Sequence, residues 1–476
     1  MSTIGEQVKQ MIFSRFAHEP TPGQQEACKK LIDFLYDSNP MSAFMLKGYA
    51  GTGKTTLISA FIQILPRLRL RTVLLAPTGR AAKVLSNYSG KKAYTIHKKI
   101  YFTATDEHGI MRTVRALNKH KYTLFIVDEA SMIGNSDSFA GNNRNLLDDL
   151  IDYVSEGDHC RMLLIGDSAQ LPPVGTDMSP ALDTDILTSI FNLNVYECEM
   201  HDVVRQELES GILFNCTTIR NYIREKEIVS QAIFSLNNYT DMERISGMEL
   251  EECLNKEYSQ NELGDVVVVC RSNKRANIFN REIRNRILYH DSELSTGDFL
   301  MVVKNNYYWL DSDSEMGFIA NGDIVEVMQV RKHHELYGFR FVEVTLHFVD
   351  YPDMPDLDCM IMLDTLMSEA PALTDEQSKA LFDEVMADYA DIPRKADRLK
   401  MLKTNPYYNA LQVKFAYALT CHKTQGGQWK TVFVDQGFLP DSTMDVEYLR
   451  WLYTAITRAT QKLYLLNFND EFFRQA

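Results

Sequence analysis

The 476-residue sequence predicts an α/β protein: two parallel-sheet units interrupted by two insertions of a different texture. Three observations carry this. Short apolar runs recur, each closed by a Gly-, Pro- or Asp-containing turn. Amphipathic segments lie between them, and two stretches of alternating β-prone residues break the rhythm. The length exceeds what one hydrophobic core ordinarily organises, so several domains are expected.

In the first unit the apolar runs are 43–46, 73–76, 124–127 and 162–165, with helical segments at 55–65 and 79–85 between them. Four apolar residues bounded by polar turns suit a strand buried on both faces, the condition of a parallel sheet covered by helices. The rhythm returns at 266–270, which leads into the amphipathic stretch 274–288, and again at 431–435 and 462–466. The first insertion, IYFTATDEHGIMRTV at 100–114, has two β-prone arms around Asp-Glu-His-Gly and reads as a hairpin. The second starts near Phe299 with FLMVV, DIVEVMQV and YGFRFVEVTLHFV, alternating strands that suit a small β-barrel, and continues as an acidic helix-rich piece to Leu411. The expected division is 1–99 and 117–205 for the first unit, 100–116 for the hairpin, 206–298 and 412–476 for the second unit, and 299–411 for the barrel with its extension.

Composition narrows the class. With 45% hydrophobic and 24% charged residues, no apolar stretch of membrane-spanning length and no basic-then-apolar start, the chain reads as soluble. Its eight cysteines show no CxxC spacing, which points to reduced thiols in a cytoplasmic protein and against a zinc site or disulfide framework. A net charge of −14 argues at first against nucleic acid, yet the charge is polarised. Residues 57–105 contain no Asp or Glu but carry Arg67, Arg69, Arg71, Arg80, Lys83, Lys91, Lys92, Lys98 and Lys99. A second cluster joins Arg271, Lys274, Arg275, Arg281, Arg284 and Arg286, whereas 350–391 holds twelve carboxylates against the single Lys379. Such a distribution suits one phosphate-binding channel with an acidic exterior.

The sharpest chemical signal is GYAGTGKT at 48–55, a complete GxxxxGK[ST] loop after an apolar run and before a helix. Glycines at Gly48, Gly51 and Gly53 let the backbone bend, so that the N–H groups of Ala50 through Thr56, Thr52 among them, face phosphates at a helix start. Lys54 is placed to reach the β- and γ-phosphates and the Thr55 hydroxyl to bind Mg²⁺. Phe125–Glu129 supplies the usual companion, an apolar strand ending in Asp128 for the metal and Glu129 as the base for the attacking water. Gln170, in a polar turn after another strand, can hydrogen-bond a γ-phosphate or the water without bringing charge. Arg458, in YTAITRA, and Arg205, in VVRQ, are candidate arginine fingers from the chain's later part.

In this order the signatures resemble those of superfamily 1 helicases, within them the 5′-to-3′ branch that includes RecD-type and phage Dda-type enzymes. The resemblance runs from Thr21 to about Arg458. It implies two RecA-like P-loop domains that bind ATP and Mg²⁺ between them, with single-stranded DNA crossing both. Thr21-Pro-Gly-Gln24 is similar to the Q motif, whose glutamine reads adenine. The loop at 48–55, DEAS at 128–131 and the segment 166–173 match motifs I, II and III, and Arg205 falls where motif IV belongs. YALTCHKTQG at 417–426, which includes Gly426, is similar to motif V, and 453–459 to motif VI. The resemblance also implies DNA contacts: Pro77, Thr78, Arg80 and Lys83 from motif Ia; Thr95 and His97 from motif Ib; Ser272, Asn273 and Arg275 from motif IVa; Thr420, His422 and Lys423 from motif V. Gly427, Gln428 and Trp429 follow where the family varies, and no role is read for Trp429. By the same resemblance the hairpin is the pin that splits duplex, with Asp106–Gly109 and Ile110–Met111 as its wedge, and the second insertion is an SH3-like barrel. A monomer is expected, and the acidic 350–392 region could dock a protein. Two alternatives stay open: an ATP-gated DNA-binding subunit of a recombination or repair complex without its own unwinding, and an RNA-acting superfamily 1 motor.

Overall fold

The structure is a computed structural model, and it describes residues 3–105, 111–134, 145–202, 210–225, 233–236, 239–310, 316, 318–437 and 444–473. Eighteen strands are described. The first sheet contains β1 (Ser42–Gly48), β2 (Arg71–Ala76), β3 (Ala93–Thr95), β6 (Thr123–Val127), β7 (Arg161–Gly166) and β8 (Asn194–Met200), while β4 (Tyr101–Thr105) and β5 (Met111–Arg115) form a separate two-stranded hairpin. Its order is β3-β2-β6-β7-β1-β8, with every pair parallel. Alternation along one strand feeds two cores. Phe44 and Leu46 join Phe34, Leu57 and Phe61 on one side, while Ala43 and Met45 join Phe125, Leu147 and Tyr153 on the other. Helices on both faces therefore explain why these strands are apolar without interruption.

The second sheet is also parallel, with β9 (Met242–Ile245), β10 (Val266–Cys270), β16 (Ala418–Thr420), β17 (Trp429–Asp435) and β18 (Ala459–Leu466) in the order β16-β10-β17-β18-β9. Between β10 and β16 the chain builds a closed barrel from β11 (Phe299–Val302), β12 (Ile324–Leu336), β13 (Phe339–Phe348), β14 (Leu357–Met362) and β15 (Leu411–Phe415). Val266, Val268 and Cys270 of the sheet share one buried cluster with Leu300, Val302, Val325, Val344 and Phe415 of the barrel. Barrel and second lobe thus have a continuous core. The acidic extension contributes helices Asp375–Ala387 and Lys395–Lys403, whose Leu381, Val385 and Leu402 pack on Phe339, Phe341, Met360 and Met362 of the barrel.

The expected boundary at 411 has to be corrected, because β15, which closes the barrel, starts there and runs past it to Phe415. LQVKF gives no apolar run, yet all five residues are buried. Lys414 donates to the carbonyls of Thr365 and Ser368, and Gln412 accepts from the Leu373 N–H, so both polar side chains are satisfied inside. The amphipathic stretch 274–288 is a helix, Asn273–Glu282, that ends in a π turn, Ile283–Ile287. Arms of the hairpin pair from Tyr101 with Arg115 to Thr105 with Met111, while its tip, Asp106–Gly109 with Ile110, lies outside the described residues. Among the described residues no helix is long and apolar enough to cross a membrane.

Candidate active site

Loops at the C-terminal ends of three adjacent strands, β6, β7 and β1, meet the start of β18 from the other lobe, enclosing a cleft of about 400 Å³. After β1, Gly51 and Gly53 take φ of 74° and 76°, left-handed values at which a side chain would be strained. Helix Lys54–Ile64 then begins with no side-chain cap, leaving its first N–H groups for a ligand. Ala50, Gly51, Gly53, Lys54, Thr55 and Thr56 line the cleft. Gly48 and Thr52 sit behind the loop. A Cβ on Gly48 would come within 2.9 Å of the Lys54 side chain, and buried Thr52 donates to the Tyr49 carbonyl at 2.8 Å. The Lys54 ammonium donates to the carbonyls of Gly48 and Tyr49 at 2.5 and 2.8 Å. Burial lowers its pKa, opposed by Asp167, Glu129 and Asp128 nearby.

Asp128 and Glu129 follow β6. Asp128 accepts from the Tyr88 hydroxyl at 2.7 Å and from the Glu129 N–H at 2.9 Å. Burial raises its pKa, against the pull of those donors and Lys54. Glu129 has a φ of 52°, an uncommon conformation for a non-glycine residue that turns its carboxylate into the cleft wall. Burial pushes it up to about 7, with Arg458 the strongest opposing influence. Gln170 lines the same cleft, and its buried amide oxygen has no hydrogen-bond partner. Such an orphaned acceptor is unfavourable unless a ligand or water satisfies it.

Arg458 enters from the second lobe, buried and lining the cleft. Its guanidinium donates to the carbonyls of Thr454 and Gly427 at 3.0 and 3.2 Å and to the Thr457 hydroxyl at 3.1 Å, with no carboxylate paired to it among the described residues. Further bonds close the lobes around the cleft. The Tyr453 hydroxyl accepts from the Ala50 N–H at 2.8 Å and donates to Asp167 at 2.7 Å. Thr454 accepts from the Leu171 N–H, and the Gln425 amide donates to the Leu171 carbonyl.

Two further expected nucleotide residues are absent from the cleft wall. Gln24 is buried at the start of helix Pro22–Tyr36 in a capping box with Thr21, and its amide donates to the Gly53 carbonyl at 3.3 Å; it braces the loop and is not a wall of the cleft. Gly426, at φ 72°, packs against the other lobe, where an added Cβ would meet Ala81 at 2.9 Å and Thr78 at 3.1 Å. It too is absent from the cleft wall, because the turn after helix Cys421–Thr424 points it at the start of helix Gly79–Ser89. Arg205 lies outside the described residues.

The expected DNA residues cluster at the C-terminal ends of β2, β3, β10 and β16, at one edge of each sheet. Pro77 is half-buried there; Thr78, Thr95 and Ser272 each cap a helix start through their hydroxyls. Asn273 donates to the Glu369 carbonyl at 3.1 Å, and the His97 ring lies 5.7 Å from Tyr101. Thr420 is half-buried and His422 exposed. The Lys423 ammonium is buried without a hydrogen-bond partner, and burial together with neighbouring Lys414 lowers its pKa to about 8. Other cations here are already engaged. Lys83 donates to the Val349 carbonyl and to Asp350 at 3.1 and 3.3 Å. Arg80 donates to the Gln428 carbonyl at 3.1 Å and stacks on Trp429.

The second basic cluster is not a phosphate channel. Arg275 forks onto buried Asp435 at 2.8 and 3.1 Å, Arg284 onto buried Asp298 at 2.9 Å through both nitrogens, and Arg286 pairs with Glu282 at 2.9 Å. Asp435 lies 160 residues from Arg275, so that approach is set by tertiary packing. Tyr88, Asp167 and Tyr453 were not singled out from sequence. Tyr453 opens the very YTAITR run quoted for Arg458, so that motif held a signal; nothing near Tyr88 did.

Two family models match the chain: one described as an AAA domain over residues 19–222, and one described as a UvrD-like helicase C-terminal domain over 415–466. Among curated relatives, the uncharacterized protein R530 of Acanthamoeba polyphaga mimivirus is 24% identical over 92% of this chain and 98% of its own. The ATP-dependent DNA helicase dda of Enterobacteria phage T4 is 26% identical, over 60% of this chain and 62% of its own. The ATP-dependent RecD2 DNA helicase of Deinococcus radiodurans is 36% identical, over 27% of this chain and 16% of its own. The match therefore spans less than two thirds of either named helicase. The P-loop, the Asp128-Glu129 pair and the 453–459 motif meet at one cleft, and the two family models fall on the two ends of that motif series, so the chain is similar at both ends to proteins that include known DNA helicases.

Proposed function

We propose that this chain is an ATP-dependent DNA helicase that moves 5′ to 3′ on single-stranded DNA and separates duplex ahead of it. The observation that carries the reading is the shared cleft: Lys54, Glu129 and Gln170 from the first lobe face Arg458 from the second. Hydrolysis that needs both lobes reports whether the cleft is closed, which is what a motor requires to convert turnover into movement.

The residues fit nucleotide and metal. Gly51 and Gly53 shape a cradle of N–H donors, and the unpartnered Gln170 oxygen offers an acceptor. Thr55 and Asp128 would hold Mg²⁺, which when bound neutralises and orients phosphate oxygens. The raised pKa of Asp128 marks a buried carboxylate short of positive charge, which a divalent cation relieves. Lys54 gives up its own-loop carbonyls for phosphate, Glu129 takes the proton of the attacking water, and Gln170 aligns that water. Arg458, with its charge uncommitted to any described carboxylate, stabilises the charge that develops on the transferring phosphoryl group. Gln24 holds the loop from behind. Opening and closing of the cleft shifts the strand between Thr78, Lys83 and Thr95 on one lobe and Ser272, Asn273, Thr420, His422 and Lys423 on the other, contacts suited to phosphate and sugar and indifferent to base sequence. The hairpin at 101–115 would wedge the duplex.

The test is strand separation on 5′-tailed and 3′-tailed duplexes, with ATP turnover measured with and without oligonucleotide and Lys54→Ala as control. Unwinding of the 5′-tailed substrate only is expected. Unwinding of only the 3′-tailed one refutes the polarity, and ATP turnover indifferent to DNA refutes the motor.

A further inference from the structure

Trp429 is buried at the start of β17, in the segment that joins two arginines of opposite lobes. On one side the Arg80 guanidinium of the first lobe lies 3.8 Å from the Trp429 ring centroid and donates to the Gln428 carbonyl at 3.1 Å. On the other, the Trp429 N–H donates to the Arg458 carbonyl at 2.9 Å, and the Gly427 carbonyl accepts from the Arg458 guanidinium at 3.2 Å. The Thr460 hydroxyl ties the Trp429 carbonyl to the start of β18 at 3.1 Å. Gly427 fits closely between the two: a Cβ there would come within 2.7 Å of the indole and 2.9 Å of the Arg80 Nε. Three consecutive residues thus hold Arg458 by its backbone and its side chain while being clamped to the first lobe by a cation on an aromatic face.

We propose that the Arg80–Trp429 stack positions Arg458, so that the finger is in place only when the first lobe reaches the indole. Arg80 and Trp429 are then positioning residues for the hydrolytic step, a use of Arg80 separate from gripping DNA. A guanidinium over a buried indole is strong for a non-covalent contact and short in range, so a small opening of the cleft releases it. Released from that clamp, Gly427 no longer presents its carbonyl at a fixed point, and Arg458 loses one of the acceptors that orient it. The inference rests on Arg458 acting as the finger.

The experiment compares Arg80→Ala, Arg80→Lys, Trp429→Leu, Trp429→Phe and the Arg80→Ala/Trp429→Leu pair in the full chain. The readouts are ATP turnover at saturating single-stranded DNA, the KM for ATP, the DNA concentration for half-stimulation, and thermal midpoint. Arg80→Ala and Trp429→Leu are expected to lower kcat about tenfold with KM nearly unchanged. Trp429→Phe and Arg80→Lys, which keep a ring and a cation, should recover most of the rate, and the pair should be no slower than the worse single variant. If Trp429→Leu does not fold, Arg80→Ala against Arg80→Lys and Trp429→Phe decides the matter. A rate loss in Arg80→Ala that saturating DNA abolishes, or multiplying losses in the pair, overturns the proposal. Wild-type protein without DNA-stimulated turnover would defeat the helicase reading itself, whereas an active wild type with unaffected variants defeats only this inference.

Discussion

The nucleotide cleft and the face at the ends of β2, β3, β10 and β16 are both built at strand ends and both rich in cations, yet they hold those cations differently. In the cleft, Lys54 and Arg458 are bonded to carbonyls and a hydroxyl, so their charge is held in place without being neutralised. On the other face Lys83 meets Asp350 and Arg80 lies on an indole. Under the proposed function the first region would meet phosphate with its charges already placed, whereas Lys83 on the second would exchange Asp350 for it. Preorganised charge is what catalysis needs, and exchangeable charge suits a track that is gripped and released every cycle.

The largest effect that could break this contrast is on Arg458. Arg458→Ala should lower DNA-stimulated kcat by about 10³-fold, the scale of an arginine finger, while leaving DNA affinity near wild type. A change of less than about tenfold would remove Arg458 from the chemistry. Next comes the Tyr453 hydroxyl, which joins the Ala50 N–H to Asp167. Tyr453→Phe leaves one buried acceptor and one N–H without that bridge, and kcat/KM for ATP should fall about tenfold.

On the other face the effects are smaller. Lys423, at about 8, is cationic below that pH and neutral above it. Under the proposed function its grip on phosphate would be present at pH 7 and lost as pH rises through about 8, later if bound phosphate favours the charged form. Affinity for single-stranded DNA should weaken severalfold from about pH 7 to pH 9, and Lys423→Arg, which does not deprotonate in that range, should flatten the profile. A flat wild-type profile would take Lys423 off the DNA. The smallest change is expected for Asp350→Asn, which frees Lys83. DNA affinity should rise two- to fivefold (about 1 kcal/mol or less) in low salt, with the gain vanishing in high salt. Unchanged affinity would show that Lys83 never exchanges Asp350 for phosphate.

Legibility followed distance along the chain. The loop at 48–55 and the pair Asp128-Glu129 are contiguous, and their geometry is dictated by glycines and by the end of an apolar strand. Both were readable from residues alone, as were the strands with uninterrupted apolar runs. Strand β9, MERI, carries two exposed charges and β15 two buried polar residues, so neither announced itself. The barrel boundary went astray for that reason. Basic residues at 271–286 looked like a channel because a run of charges does not show its partners; for Arg275 the acid, Asp435, is 160 residues away. Gln24 and Gly426 were assigned by resemblance; Gln24 meets the Gly53 carbonyl through packing within the first lobe, and Gly426 meets Thr78 and Ala81 across the lobes.

The continuous core between the second lobe and the barrel has a mechanical consequence. A domain that shares its interior with its host cannot swivel on its own, so the barrel must travel as a rigid arm of that lobe. Each widening of the cleft would carry Asp350 away from Lys83. Excising the barrel would be no neutral trimming either: it would remove Leu300, Val302, Val325, Val344 and Phe415 from the buried cluster they share with Val266, Val268 and Cys270.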